Sequence, residues 1–205
     1  MRKDVKRLKA EYLPPEDYPK LFMLMQPANA LALQITLETG LRIGDVLKAR
    51  FADLNGDRMT VTAEKTGKRT VCQLRPQTVE NILRLCPVGE YLFPGRKPET
   101  HRCRQAVYRD VRKAAEALRI PEHVSPHSAR KTYAVKLRKS GVPERSIQSA
   151  LQHSDVQTTR IYSRSDVLQL TPERLKELIE TISDIVTERV LAKIVNSKNE
   201  KPPIS

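Results

Sequence analysis

Residues 125–130 read Ser-Pro-His-Ser-Ala-Arg, and LQHSDVQTTRIY follows at residues 151–162. Both runs lie in helical patterns, at about 127–139, 143–151 and 156–163. They place two histidines, an arginine and a tyrosine close together along the chain. A tyrosine oxygen can attack a phosphodiester when its proton is removed and when cations stabilise the charge that develops on the phosphate. The stretch therefore indicates packed helices around a site for phosphodiester chemistry without a metal.

The chain is strongly basic. Its 205 residues include 37 Lys and Arg against 24 Asp and Glu, which gives a net charge of +13 and a pI near 9.9. This balance favours a polyanionic partner, above all nucleic acid, over the alternative of a solvated basic surface. The aromatic content of 4% with no Trp argues against a surface that binds single strands by base stacking.

The sequence predicts no cofactor and a soluble, cytoplasmic protein. The three cysteines, Cys72, Cys86 and Cys103, have neither zinc-ligand spacing nor a disulfide pattern. No run of residues reaches membrane-spanning length, and the charged N-terminus is unlike a signal peptide. No Asp/Glu cluster suggests a two-metal nuclease and no glycine-rich loop suggests nucleotide hydrolysis, so neither metal nor ATP is expected.

The remaining patterns predict a mainly α-helical α+β fold with a small antiparallel β-sheet. Residues 58–63 and 69–74 alternate polar with apolar or β-branched side chains and are joined by Glu64-Lys65-Thr66-Gly67-Lys68, which is typical of a β-hairpin. Gly40 follows a helical pattern at 28–38 and suits a left-handed helix cap. Further helical patterns occur at about 14–25, 43–50, 76–85 and 101–118.

Four segments are expected along the chain. A basic lead-in covers 1–13, the main domain covers 14–170, a helical segment covers 171–195 and a polar tail, expected to be disordered, covers 196–205. Apolar residues recur there at three- and four-residue steps, and this spacing predicts the helix.

The order of these residues resembles the catalytic domain of the tyrosine recombinases, also called the phage integrase family, over about residues 13–165. In that family an arginine precedes a lysine on a β-hairpin, the motif H-x-x-R, a histidine or tryptophan, and a nucleophilic tyrosine. All six positions are filled here in that order: Arg42 in TGLRIGDVL, Lys65 in EKTGK, His127 and Arg130 in HSAR, His153 in LQHSD, and Tyr162 in TTRIY.

The resemblance implies a catalytic role for each of the six. Arg42 and Arg130 would hold the non-bridging oxygens of one phosphate, because two planar guanidinium groups stabilise its transition state. Lys65 would protonate the departing 5′ oxygen. Lys68 and Arg69 stay open as alternatives for that task, and a solubilising turn residue is the other interpretation of Lys65.

His127 and His153 would move a proton or donate a hydrogen bond to a phosphate oxygen. Tyr162 would be the nucleophile, although a tyrosine on a short helix is commonly a packing residue. Asp45, one helical turn after Arg42, either orients that arginine or a histidine, or is an acid on the helix surface. The cations expected to contact DNA are Lys68, Arg69, Lys131, Arg160 and Arg164.

The family scheme implies a site-specific recombinase that cuts double-stranded DNA through a 3′-phosphotyrosyl link and acts as a tetramer on paired sites. Two alternatives remain. A type IB topoisomerase uses a similar pocket, but its pattern typically has arginine or lysine where this chain has His127. A DNA-binding accessory protein could also keep the fold without turnover.

Two departures from the family pattern, at Gln152 and at the N-terminus, and one feature shared with the family, the 171–195 segment, each lead to an expectation. Gln152 stands where the family usually has glycine, and we expect it to touch no catalytic group. The 171–195 segment either docks onto a neighbouring protomer or packs against its own domain. Only about a dozen residues precede the match, so the chain is either a fragment or a naturally short member resembling the fimbrial phase-switch invertases; in both cases we expect weak, salt-sensitive DNA binding.

Overall fold

A computed structural model describes residues 9–86, 89–97 and 99–169, together with positions 176, 179, 180, 183 and 186–191. The chain divides into two compact units, Met1–Leu168 and Gln169–Ser205. The described part of the first unit is mainly helical and contains a small antiparallel sheet, which confirms the predicted fold class.

The α-helices are α1 Tyr18–Leu24, α2 Pro27–Thr39, α3 Ile43–Leu47, α4 Pro76–Leu85, α5 Arg104–Ala117, α6 Pro126–Lys139, α7 Glu144–Leu151, α8 Val156–Ser163 and α9 Ser165–Leu168. Single 3-10 turns occupy Pro15–Asp17 and Phe51–Asp53. No helix among the described residues is long and apolar enough to cross a membrane.

Helix α2 is the centre of the main core. It packs against α3, α4, α5 and α6, and its side chains are buried on several faces, as expected for a helix with a high apolar content. Pro27 begins the helix, and Gly40 ends it with φ +70°. The chain then turns at once into α3, so the end of α2 places Arg42 directly before that helix.

The sheet has three strands in the order β1 Leu54–Asn55, β2 Arg58–Thr62 and β3 Arg69–Gln73. Met59 pairs with Cys72 and Val61 with Thr70 in an antiparallel register. Met59 and Val61 are buried, so one face of β2 joins the core. The hairpin is therefore anchored along β2 and leaves its connecting loop exposed.

A smaller apolar cluster joins α6, α7 and α8. Ala134, Ile147 and Leu151 are buried there, and Tyr162 packs against them. Both α6 and α8 begin at side-chain caps: the Ser125 hydroxyl accepts from the backbone N–H of His127, and the Asp155 carboxylate accepts from two N–H groups of α8. These caps fix the start of α6, where His127 lies, and the start of α8, the helix that carries Tyr162.

The second unit is described only in part. Positions 176, 179, 180, 183 and 186–191 are helical, within the segment where a helix was predicted. The apolar side chains at these positions are between 49% and 60% exposed. The rest of the 171–195 segment, the 196–205 tail and residues 1–8 of the lead-in lie outside the described residues.

Candidate active site

The six residues singled out by the sequence line one cleft of about 150 Å³. They come from the start of α3, the hairpin loop, both ends of the α6–α7 pair and helix α8. Two residues that the sequence reasoning missed complete the wall. The lining consists of Arg42, Lys65, His127, Arg130, His153, Ser154, Thr158 and Tyr162.

Arg130 is the buried cation of the cleft, with 3% of its surface exposed. Its guanidinium donates to the carbonyl of Gly40, and to the carbonyl of Leu151 at 3.0 Å. Burial, followed by repulsion from Arg42, lowers the pKa of Arg130 to about 10. The group is still charged at neutral pH, and its position is set by backbone oxygens that end two different helices.

Arg42 reaches the cleft from the residue before α3. Its Nη2 donates to the carbonyl oxygen of Gln152 at 3.3 Å. The two guanidinium groups therefore donate to carbonyls of adjacent residues: Arg130 donates to Leu151 and Arg42 donates to Gln152. Two planar cations held side by side in this way can bind the oxygens of one anion.

His153 is held in one tautomer by its neighbours. Its Nε2 lies 3.3 Å from Arg130 Nη2 and its Nδ1 lies 3.1 Å from the Thr159 hydroxyl. A guanidinium can only donate, so Nε2 must accept and the neutral ring carries its proton on Nδ1. Burial, followed by the charge of Arg130, lowers the pKa of His153 to about 4.

His127 faces the tyrosine from the first turn of α6. Its Nδ1 lies 3.4 Å from the Tyr162 hydroxyl. The ring meets solvent on one side, yet the surrounding protein, and then the charges of Arg130 and Arg42, lower the pKa of His127. The imidazole is therefore neutral at pH 7 and can accept a proton from the phenol.

The ring of Tyr162 is fixed from two sides. The His153 ring meets it edge-on with centroids 4.9 Å apart, and Lys131 Nζ lies over it at 5.9 Å from the centroid. Burial lowers the pKa of Lys131. Lys131, predicted as a DNA contact, thus packs beside the tyrosine.

Asp45 supports the hairpin. It is 5% exposed, so the interpretation as an acid on the helix surface is wrong. Its Oδ1 accepts from the backbone N–H of Glu64 at 3.1 Å, next to Lys65. The carboxylate of Glu64 in turn lies 2.7 Å from Lys48 Nζ. Asp45 therefore bonds to the loop that carries Lys65, a partner that neither of the two interpretations from the sequence had named.

The other predicted DNA contacts are exposed cations. Lys68 and Arg69 lie at the hairpin, and Lys68 lines a second cavity of about 300 Å³ beside the first. Arg164 ends α8. Arg160 is engaged by Glu144, with Nε and Oε1 2.7 Å apart, so this side chain already has a partner within the protein.

Ser154, Thr158 and Gln152 were not predicted as site residues. Thr158 lies four residues before Tyr162 on α8, a spacing that could have revealed it. The expectation that Gln152 touches no catalytic group is wrong, because its carbonyl accepts from Arg42. This contact joins two residues that are 110 positions apart in the sequence, and no local pattern indicates it.

The described residues contain no group of three or more His, Cys, Asp or Glu that could hold a metal ion. The cleft presents cations and imidazoles, and these suit an anionic ligand.

Comparisons with known proteins identify similar sequences and folds. The sequence model of the phage integrase family matches residues 11–169. The tyrosine recombinase XerC of Rhizobium meliloti is 30% identical over 152 residues, which cover 69% of this chain and 47% of that protein. XerC of Mesorhizobium japonicum is 32% identical over 151 residues, 69% of this chain and 48% of that protein. The chain thus spans about half the length of the curated relatives it matches.

Solved structures share the fold. The crystal structure of the XerA recombinase matches 85% of this chain and 64% of its own, with a TM-score of 0.66 and 22% identity. A lambda integrase tetramer bound to a Holliday junction matches 79% of this chain and 50% of its own, with a TM-score of 0.63 and 18% identity.

Proposed function

Because this chain belongs to the phage integrase family, we propose that it is a site-specific DNA recombinase that cuts and rejoins DNA strands through Tyr162. The observation that carries the proposal is the single cleft lined by two arginines, a lysine, two histidines and a tyrosine. Such an enzyme would act on DNA in the bacterial cytoplasm.

The chemistry would be an in-line displacement at one DNA phosphorus. The Tyr162 oxygen forms a bond to phosphorus, and the bond from phosphorus to the 5′ oxygen breaks. The phenol proton passes to His127 Nδ1, 3.4 Å away, and the Lys65 ammonium gives a proton to the departing oxygen. The products are a 3′-phosphotyrosyl link and a 5′-hydroxyl.

Arg42 and Arg130 would stabilise the charge on the phosphate in the transition state. Arg130 Nε is buried and has no hydrogen-bond partner among the described residues, which leaves a donor unused within the guanidinium. Fixed cations in a partly enclosed cleft stabilise a developing charge without having to reorganise. His153 would hold Arg130 in place through the 3.3 Å contact.

The covalent link would conserve the energy of the broken bond, so that a 5′-hydroxyl of a second duplex can reverse the step. Strand exchange between two duplexes requires several protomers. We propose that the chain works as a tetramer on paired sites. The shared fold with a lambda integrase solved as a tetramer on a Holliday junction supports this.

The test is a covalent adduct assay. Purified protein is mixed in EDTA with a pool of nicked duplexes whose central sequence is randomised, so that cleavage releases a short 5′-hydroxyl fragment and traps the protein on DNA. Wild type should form an adduct that survives SDS. Tyr162→Phe should form none, because it lacks the attacking oxygen, and Tyr108→Phe, on the exposed side of α5, should match wild type.

Absence of an adduct with wild type would contradict the proposal and favour a DNA-binding accessory role. Relaxation of a supercoiled plasmid that lacks any selected site would instead favour topoisomerase activity. The direction of recombination, whether integration, excision or inversion, would follow from the arrangement of the sites that the adducts reveal.

A further inference from the structure

Gln152 connects three parts of the cleft. Its backbone has a left-handed conformation, φ 52° and ψ 43°, at the end of α7. Its carbonyl accepts from Arg42, and the next residue is His153. Its side-chain amide lies 2.7 Å from the Thr70 hydroxyl on β3. A hydroxyl both donates and accepts, so this bond forms whichever way the amide is turned.

The Thr70 bond holds one side of the loop that carries Lys65. On the other side, Asp45 accepts from the backbone N–H of Glu64 at 3.1 Å. The loop between Glu64 and Thr70 is thus tied at both ends to helices of the cleft. Lys65 itself is exposed, so the region that its ammonium can reach is set by the backbone of the loop, which these ties and the loop's own turn bonds to Ala63 hold in place.

The carbonyl oxygen of the Gln152 amide is buried and has no hydrogen-bond partner among the described residues. A buried polar atom left unpaired is unfavourable. The left-handed backbone is also unfavourable for a residue with a Cβ. Both unfavourable features occur in the residue whose side chain bonds to Thr70 and so joins the end of α7 to the hairpin.

We infer that Gln152 is a positioning residue that, through Thr70, places the Lys65 ammonium at the leaving oxygen. The inference rests on the proposed function. The Gln152 side chain touches no reacting atom and, among the described residues, is bonded to the hairpin alone, whereas the contact with Arg42 is made by its backbone carbonyl. Misplacing a catalytic group by about 1 Å can lower a rate a hundredfold, and general acid catalysis depends on hydrogen-bond reach.

The experiment compares two leaving groups. One nicked duplex carries the ordinary 5′ oxygen at the cleaved bond, and a second carries sulfur at that position. A thiol ionises near pH ~8.5, so a thiolate departs without a proton donor. Gln152→Met retains a side chain of similar length without the amide, and Thr70→Val retains the shape without the hydroxyl.

Both variants should cleave the oxygen substrate about tenfold to a hundredfold more slowly than wild type. Both should cleave the sulfur substrate within about twofold of wild type, as Lys65→Ala should. The double variant should be no slower than either single variant, because both remove the same bond. The matched control is Gln73→Met at the far end of β3. It removes the hydrogen bond of 2.9 Å that the Gln73 side-chain amide donates to Asp57, and it should leave both rates unchanged.

If the variants cleaved both substrates more slowly by the same factor, this inference would be overturned and the proposed function would stand. Such a result would show that Gln152 supports the whole cleft and not the proton donor. Wild-type rates for both variants on the oxygen substrate would overturn it as well. If wild type gave no Tyr162-dependent adduct on either substrate, the proposed function would fail, and the inference with it.

Discussion

At the scale of single residues, the charge of the cleft is set by an imbalance between cations and acids. Arg130 and Arg42 face each other across adjacent carbonyls, and the pKa of Arg130 is lowered by burial. The charges of Asp45 and Asp155 reach the cleft, but both carboxylates make their hydrogen bonds elsewhere, since Asp45 accepts from the Glu64 N–H and Asp155 caps α8. The cleft therefore has a net positive charge that can bind an anion. Burial and the two arginines lower the pKa of both histidines, so their rings are neutral at pH 7.

This arrangement predicts how stability depends on pH. Burial and Arg130 lower the pKa of His153 from 6.5 to about 4 in the folded protein. In the unfolded chain the ring returns to its ordinary value, so below pH 6.5 the unfolded state binds more protons. The stabilising contribution of neutral His153 is complete above pH 6.5 and declines as the pH falls toward 4.

Urea unfolding measured between pH 7.5 and pH ~4.5 checks this linkage. His153→Gln cannot gain the proton, so its free energy of unfolding should decline less steeply over that range than that of wild type. The slopes of the two proteins should agree above pH ~7. Parallel curves over the whole range would mean that His153 does not carry the linkage.

The residues that the sequence revealed are those whose type and order carry the chemistry. Arg42, His127, Arg130, His153 and Tyr162 stand in recognisable local patterns, and the structure brings them together. The sequence could not show which groups hold them. The bonds from Arg130 to the carbonyls of Gly40 and Leu151 join residues that lie far apart along the chain.

At the scale of elements, the end of α2 determines two features of the cleft. Gly40 has φ +70°, and its carbonyl accepts from Arg130. A Cβ at this position would overlap the ring of Tyr133. Glycine therefore serves both the left-handed cap and the close approach of α6 to α2.

Gly40→Ala should destabilise the protein by more than the roughly 1–2 kcal/mol of a left-handed alanine, because the Tyr133 ring must also move. Gly141 offers a matched comparison, since it has φ +76° and open space where its Cβ would lie. Gly141→Ala should show only the backbone effect. Urea unfolding of the two variants measures both effects. If the two variants lost the same free energy of unfolding, the steric contribution of Tyr133 would be ruled out.

Element boundaries were predictable where patterns are long. The structure has α8 at Val156–Ser163, as predicted, and β2 and β3 at Arg58–Thr62 and Arg69–Gln73, each one residue shorter than predicted. Strand β1, Leu54–Asn55, was missed because two residues cannot show an alternation. The ties that hold the hairpin loop were also missed, since Asp45 and Gln152 reach it from helices distant in sequence.

At the scale of the whole molecule, a net charge of +13 predicts that affinity for duplex DNA depends on salt. Around the cleft, the exposed cations Lys68, Arg69 and Arg164 are available to contact phosphates. Each phosphate that a protein neutralises releases bound counterions, so the logarithm of the affinity falls linearly with the logarithm of salt concentration.

Anisotropy titrations of a labelled duplex between about 50 and 200 mM salt measure that slope. Arg69→Gln should weaken binding and make the slope shallower by about 0.9, the change expected for one lost phosphate contact in B-DNA. The control is Arg84→Gln on α4, an exposed arginine that lines a separate cavity and is bonded to Asn81. An unchanged slope for Arg69→Gln, or an equal change for Arg84→Gln, would mean that the hairpin side of the cleft does not face the DNA backbone.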